Sequence, residues 1–116
     1  MEPVTFTVLG QPVSMKNSRE IVRIKGKPAL IKSAEARKYL EDARLQIPQL
    51  FPPTMDDVSV TATLFYSDRR RDLDAELLFD ALQGKVIVND RQITEKHLFR
   101  KIDKANPRAV VTVEAA

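Results

Sequence analysis

The densest group of residues able to do chemistry is the run Arg69-Arg70-Arg71-Asp72-Leu73-Asp74. In an extended backbone, side chains two residues apart point the same way, with their α-carbons about 6 to 7 Å apart. Asp72 and Asp74 then present two carboxylates together, while Leu73 turns inward as an anchor. Such a pair suits a divalent cation: Mg²⁺ takes oxygen ligands in an octahedron, keeps several waters, and is commonly held by one or two carboxylates plus substrate phosphate oxygens. A third carboxylate, Asp90, follows the short apolar run Val86 to Val88. It can approach the other two if that run forms a strand beside the one that precedes Asp72. Each residue also has a plainer use, since Asp caps helices, Asn-Asp makes turns and arginines populate solvated loops. Capping needs at most one of the three aspartates, so together they favour a metal.

The charge distribution supports a polyanionic partner. Residues 1–38 hold eight Lys/Arg against three Asp/Glu, residues 39–90 five against ten, and residues 91–116 six against three. A basic surface attracts a polyanion, and an acidic cluster within it repels that polyanion unless cations lie between them. This is the charge pattern of a metal-dependent nuclease, although scattered surface charge would give the same counts. A chain of 116 residues is expected to form one domain, over residues 1–116. The absence of Cys excludes disulfides, thiolate zinc sites, iron–sulfur clusters and cysteine nucleophiles. No apolar run has the length of a signal peptide or a membrane span, so a cytoplasmic protein without membrane contact is expected. No Gly-rich phosphate loop is present, which argues against a nucleotide cofactor. His97 stands without a second His or a nucleophile and is expected at the surface or in packing.

The elements that must position these residues follow from periodicity. Thr5 to Val8 alternate before the Gly10-Gln11-Pro12 break, which predicts a first strand. Ile21 to Ile24 and Ala29 to Ile31 predict a hairpin turning at Gly26, with Arg23, Lys25, Lys27 and Lys32 projecting from the ribbon. Ser33 reads as the N-cap of an amphipathic helix with Ala36, Leu40, Ala43 and Ile47 on one face, ended by Pro48. Prolines 48, 52 and 53 predict an extended loop. Val58 to Tyr66 alternate as a strand with one buried face, and a short helix around Ala75 to Gln83 follows, closed by Gly84. Residues 96–103 and 108–114 are expected to form a final antiparallel pair around Asn106-Pro107. The order predicts an α+β fold, a mixed sheet with two main helices packed on it.

The strings RRRDLD, FDALQG (Phe79 to Gly84) and NDRQI (Asn89 to Ile93) resemble the RusA family of Holliday junction resolvases, small endodeoxyribonucleases common in prophages. PVSMKNS at Pro12 to Ser18 and NPR at Asn106 to Arg108 also fit, so the resemblance spans almost the whole chain. It implies that Asp72, Asp74 and Asp90 are the catalytic residues and bind Mg²⁺ or Mn²⁺ for phosphodiester hydrolysis. It also implies a homodimer acting on four-way junctions in DNA recombination and repair, leaving ligatable nicks. The chain departs from the family pattern in one place. The second aspartate is usually followed by Asn and then by a Lys, whereas Asp74 is followed by Ala75-Glu76-Leu77-Leu78-Phe79, an interval about two residues short. Lys85 and Arg91 are the nearest substitutes along the chain, and Asp80 reads as structural.

The expected function is therefore metal-dependent, structure-selective cleavage of branched DNA. Lys16, Arg23, Lys25 and Lys27 near the N-terminus, and Arg69, Arg70, Arg71 and Arg91 around the aspartates, are the expected DNA contacts, made mostly to phosphates. A junction with approximate two-fold symmetry suits a two-fold dimer, for which the strand from Val58 and the helix from Ser33 offer candidate surfaces. The competing reading is a branched-DNA-binding protein that keeps the fold but does not cleave, since it lacks the usual catalytic Lys. A third reading is a small interaction module whose aspartates only cap and turn.

Overall fold

The computed structural model describes residues 1–15 and 19–116, with the side chains of residues 19 and 20 left aside. Its order is β1 (Val4–Leu9), β2 (Arg19–Ile24), β3 (Lys27–Lys32), α1 (Ala34–Gln46), β4 (Val58–Tyr66), α2 (Glu76–Leu82), β5 (Ile93–Ile102) and β6 (Arg108–Ala115), with a 3₁₀ turn at Asp90–Gln92. Four strands form a mixed sheet in the order β1-β6-β4-β5, and β2 and β3 form a separate ribbon. The expected α+β class, a mixed sheet with two main helices, is what the chain adopts.

The strand β4 organises the sheet. It pairs antiparallel with β6 and parallel with β5, so it lies in the centre. Val58, Val60, Ala62, Leu64 and Tyr66 are buried on one face against both helices, as the period-two pattern predicts. Phe6 and Val8 from β1 and Ala109, Val111 and Val113 from β6 extend the same apolar layer. The helices α1 and α2 cover this face with Ala36, Tyr39 and Ala43 and with Leu77, Leu78, Phe79, Ala81 and Leu82. Arg44 ties the two helices together, its Nη1 donating to the carbonyls of Ala81 (3.2 Å) and Gln83 (2.8 Å) at the end of α2. Those carbonyls have no partner within the helix, so a cation placed there satisfies both the hydrogen bond and the helix dipole.

The predicted final hairpin is corrected. Both segments are strands, but β5 and β6 do not pair with each other; each takes one side of β4. The link between them crosses the end of β4, where the Asp103 N–H donates to the Tyr66 carbonyl at 2.9 Å. Alternation specifies which side chains face the core but not which strand is the neighbour, and β4 offers two open ladder edges. Val86 to Val88 is also not a strand of the sheet. Ile87 makes only isolated bridges to Thr54 and Gln83.

The local signals at the ribbon and the first helix hold. Lys25 (φ 53°) and Gly26 (φ 78°) form a two-residue turn with both φ positive. That backbone matches strand twist and explains a Gly at this position. Ser33 caps α1, its side chain accepting from the Ala36 N–H. No helix among the described residues is long and apolar enough to cross a membrane.

Candidate active site

The acidic run lies between β4 and α2, where the chain leaves the carboxyl end of a central strand and enters a helix that leads to a parallel neighbour. In such βαβ units, ligands gather at the carboxyl ends of strands. Tyr66, the last residue of β4 and 1% exposed, reaches into the loop. Its hydroxyl donates to the Asp72 carbonyl at 2.8 Å and accepts from the Asp74 N–H at 3.3 Å. Arg100 on β5 adds a second clamp, with Nη2 donating to the Arg71 carbonyl at 2.7 Å. Its guanidinium stands 5.9 Å from the Tyr66 ring centroid. Burial pushes the Tyr66 hydroxyl above its ordinary pKa, so it stays a neutral donor.

Asp74 is half-buried and firmly held. Its Oδ2 accepts from Ser14 Oγ at 3.0 Å and from the Met15 N–H at 2.8 Å, and its Oδ1 accepts from the Glu76 N–H at 2.8 Å. The carboxylate thus joins the N-terminal segment to the start of α2. This is the plain capping use, and it leaves acceptor capacity on the carboxylate, since an oxygen can accept more than one hydrogen bond. Asp72 is exposed, and it lines a cleft of about 180 Å³ with Pro12, Val13, Ser14, Glu35, Tyr66, Arg70 and Arg71. Leu73 is not the inward anchor expected, being 37% exposed. The loop there belongs to no strand, and Tyr66 supplies the anchoring instead.

Asp90, in the 3₁₀ turn, sits at the other end of α2. Its N–H donates to Gln83 Oε1 at 3.3 Å, so its backbone lies by the carboxyl end of a seven-residue helix whose amino end adjoins Asp74. A helix of that length spans roughly 10 Å. The absence of a strand at Val86 to Val88 explains the separation, since the approach expected for Asp90 depended on that strand. Asn89 caps the 3₁₀ turn, and Gln92 Oε1 accepts from the Val88 and Asn89 N–H groups. Gln92 Nε2 donates to the Thr54 and Asp56 carbonyls. Among the described residues no three carboxylate, His or Cys side chains come together as a cation cage. The donor chemistry of Asp72 and Asp74, hard oxygens beside an open cleft, nevertheless fits Mg²⁺ or Mn²⁺ in the one-or-two-carboxylate mode.

The expected DNA contacts divide into two groups. Arg69, Arg70 and Arg71 are exposed in the acidic loop, where the Arg70 N–H donates to Asp68 Oδ1 at 2.8 Å. Arg23, Lys25 and Lys27 are exposed on the ribbon, with Arg23 Nη1 donating to the Gly26 carbonyl at 3.3 Å. Arg91 is exposed in the 3₁₀ turn, and Lys16 lies outside the described residues. Asp80, read from the sequence as structural, has its carboxylate 3.9 Å from Lys32 Nζ, a contact between ribbon and α2. His97 is exposed on β5. Sequence reasoning did not single out Tyr66, Ser14, Lys96 or Arg100. The signal for the last two was present: Lys96, Leu98 and Arg100 alternate in one strand, so both cations share a face with a core residue.

No curated protein matches the chain by sequence. The sequence model described as Endodeoxyribonuclease RusA matches residues 10–114, a span that contains the acidic loop, both helices, the 3₁₀ turn and every strand except β1 and the last residue of β6. With that match laid over a cleft-side Asp-x-Asp at the end of β4, the chain belongs to the RusA endodeoxyribonuclease family.

Proposed function

We propose that the protein resolves four-way DNA junctions by paired nicks, as a metal-dependent homodimer in which the domain over residues 1–116 carries one active site. The carrying observation is the Asp72–Asp74 pair, clamped through Tyr66 and Arg100 and opening beside Arg70 and Arg71. Asp72 and Asp74 would hold Mg²⁺ or Mn²⁺, while Asp90, the third aspartate of the family reading, stands at the other end of α2. A divalent cation bound there supplies a lowered pKa for the attacking water and charge neutralisation at the phosphate. Asp74, fixed by three donors, sets the geometry of the pair. Asp72, facing the cleft, presents the open side to the substrate. Arg70 and Arg71 bind phosphates that flank the cut, and the Arg23, Lys25 and Lys27 ribbon extends the contact along the duplex arms.

A second reading, junction binding without cleavage, draws support from α2, which carries Glu76 and no Lys or Arg. One experiment separates the two: labelled four-way junction and matched linear duplex with Mg²⁺, Mn²⁺ or EDTA, beside D72N. Metal-dependent paired nicks in the junction alone, lost in D72N, support the enzyme. Tight junction binding with no nicks in either metal leaves the binder.

A further inference from the structure

Phosphodiester hydrolysis builds negative charge on the phosphate oxygens, and an active site gains most from a cation already placed where that charge grows. The helix that follows the acidic loop, Glu76 to Leu82, has no basic residue to supply it. The neighbouring edge strand does. Lys96, Leu98 and Arg100 of β5 stand in register with Val60, Ala62 and Leu64 of β4, so all three project on the face that the helices cover. Arg100 is engaged with the Arg71 carbonyl and the Tyr66 ring. Lys96 instead hangs over α2, its Nζ 4.6 Å from the centroid of the Phe79 ring and 3.5 Å from Glu76 Oε1.

The two contacts differ in kind. Phe79 is 2% exposed and forms a fixed apolar floor beneath the ammonium. The ion pair is long, and its side chains are 44% (Lys96) and 54% (Glu76) exposed, so solvent screens it and another anion can replace it. Glu76 is in turn bonded through its N–H to Asp74 Oδ1, which sets the ammonium beside the helix end of the acidic pair. A cation steered by a rigid ring and loosely paired with one carboxylate, at the helix start that follows the acidic loop, is suited to exchange that carboxylate for a phosphate oxygen.

We propose that Lys96 is a catalytic residue, which leaves Glu76 for a non-bridging oxygen of the scissile phosphate and neutralises the charge that builds there during hydrolysis. The lysine keeps its proton throughout. The bond formed joins phosphorus to the water oxygen, the bond broken joins phosphorus to the departing 3′ oxygen, the water's proton passes to solvent, and the 3′ oxygen takes one up from solvent. The role rests on the nuclease reading above and assigns to β5 the cation that α2 lacks.

The test uses the full chain and its K96Q and K96R variants. Junction binding is measured in EDTA across a range of salt, cleavage under single turnover with Mg²⁺, and melting temperature for each variant. A lysine on a phosphate contributes about one unit to the slope of log affinity against log salt. K96Q is therefore expected to lose about one unit of slope and to cleave on the order of a hundredfold more slowly. K96R should recover the slope, and all three proteins should melt alike. An unchanged slope with unchanged cleavage overturns the role, and so does slower cleavage that only tracks a lowered melting temperature. If the unaltered chain neither binds nor cuts the junction, the nuclease reading falls and takes Lys96 with it. If it cuts and K96Q cuts equally well, only the Lys96 role is lost.

Discussion

The two aspartates of the acidic loop have unequal positions, and their substitution should separate stability from chemistry. Asp74 accepts three hydrogen bonds that join distant segments, whereas Asp72 is exposed at the cleft. Asp74→Asn keeps one acceptor oxygen but turns an NH₂ toward donors, and should cost about 1–3 kcal/mol in denaturant unfolding. Asp72→Asn should abolish cleavage with a much smaller change in the same unfolding curve. The two buried tyrosines make a parallel contrast. Tyr66→Phe removes a donor and an acceptor that hold the loop backbone, at a cost of about 1–2 kcal/mol. The Tyr39 hydroxyl is buried with no hydrogen-bond partner among the described residues, so Tyr39→Phe should hold or raise the melting temperature. Burial raises both hydroxyls above the ordinary value of 10.0. The unfolded chain then ionises first, so the stability tied to these groups is complete below about pH 10 and falls as pH rises past it. Tyr39→Phe should shift alkaline unfolding, followed by circular dichroism, to higher pH.

Among the elements, α2 carries both packing and site geometry, and its hold on α1 passes through Arg44. Arg44→Ala should destabilise by roughly 1.5–3 kcal/mol, because two buried-end carbonyls lose a charged donor. Lys38→Ala, which removes only the exposed pair with Asp42, should leave the melting temperature unchanged. At this scale most of the architecture was legible. Ser33, the spacing from Ala36 to Ile47 and the alternation from Val58 to Tyr66 mark α1 and β4 because capping and burial are local or periodic. The pairing of β5 and β6 was not legible, since two strands with sound patterns can each bond to a third. The isolated ladder contacts of Ile87 escaped for a related reason: they depend on the loop around Thr54, more than thirty residues away.

For the whole molecule, the charge segregation becomes geometry. The ribbon carries Arg23, Lys25 and Lys27 outside the main sheet, and the cleft carries Arg70 and Arg71 beside the carboxylates. DNA binding should therefore fall steeply with salt. A K25Q/K27Q variant should lose about two units from the slope of log affinity against log salt while cleaving bound junction at a near-normal rate. EDTA should stop cleavage and leave binding in place, checked by gel shift beside the cleavage assay. Loss of cleavage from bound junction in K25Q/K27Q would place the ribbon in the catalytic step instead.

By itself, the sequence determined the strands and helices, the Asp72–Asp74 pair and its place between β4 and α2, and the family, since these rest on spacing, periodicity and short strings of residues. The tertiary structure alone decided what surrounds that pair. Tyr66, Ser14 and Arg100 reach the loop from separate elements, Lys96 reaches Glu76 at the start of α2, and Asp90 is held by Gln83 at the far end of α2. A one-dimensional pattern records which way a side chain faces along its own strand or helix. Which groups meet across elements depends on sheet order and on the length of the helix between them, and both are set by packing of the whole core.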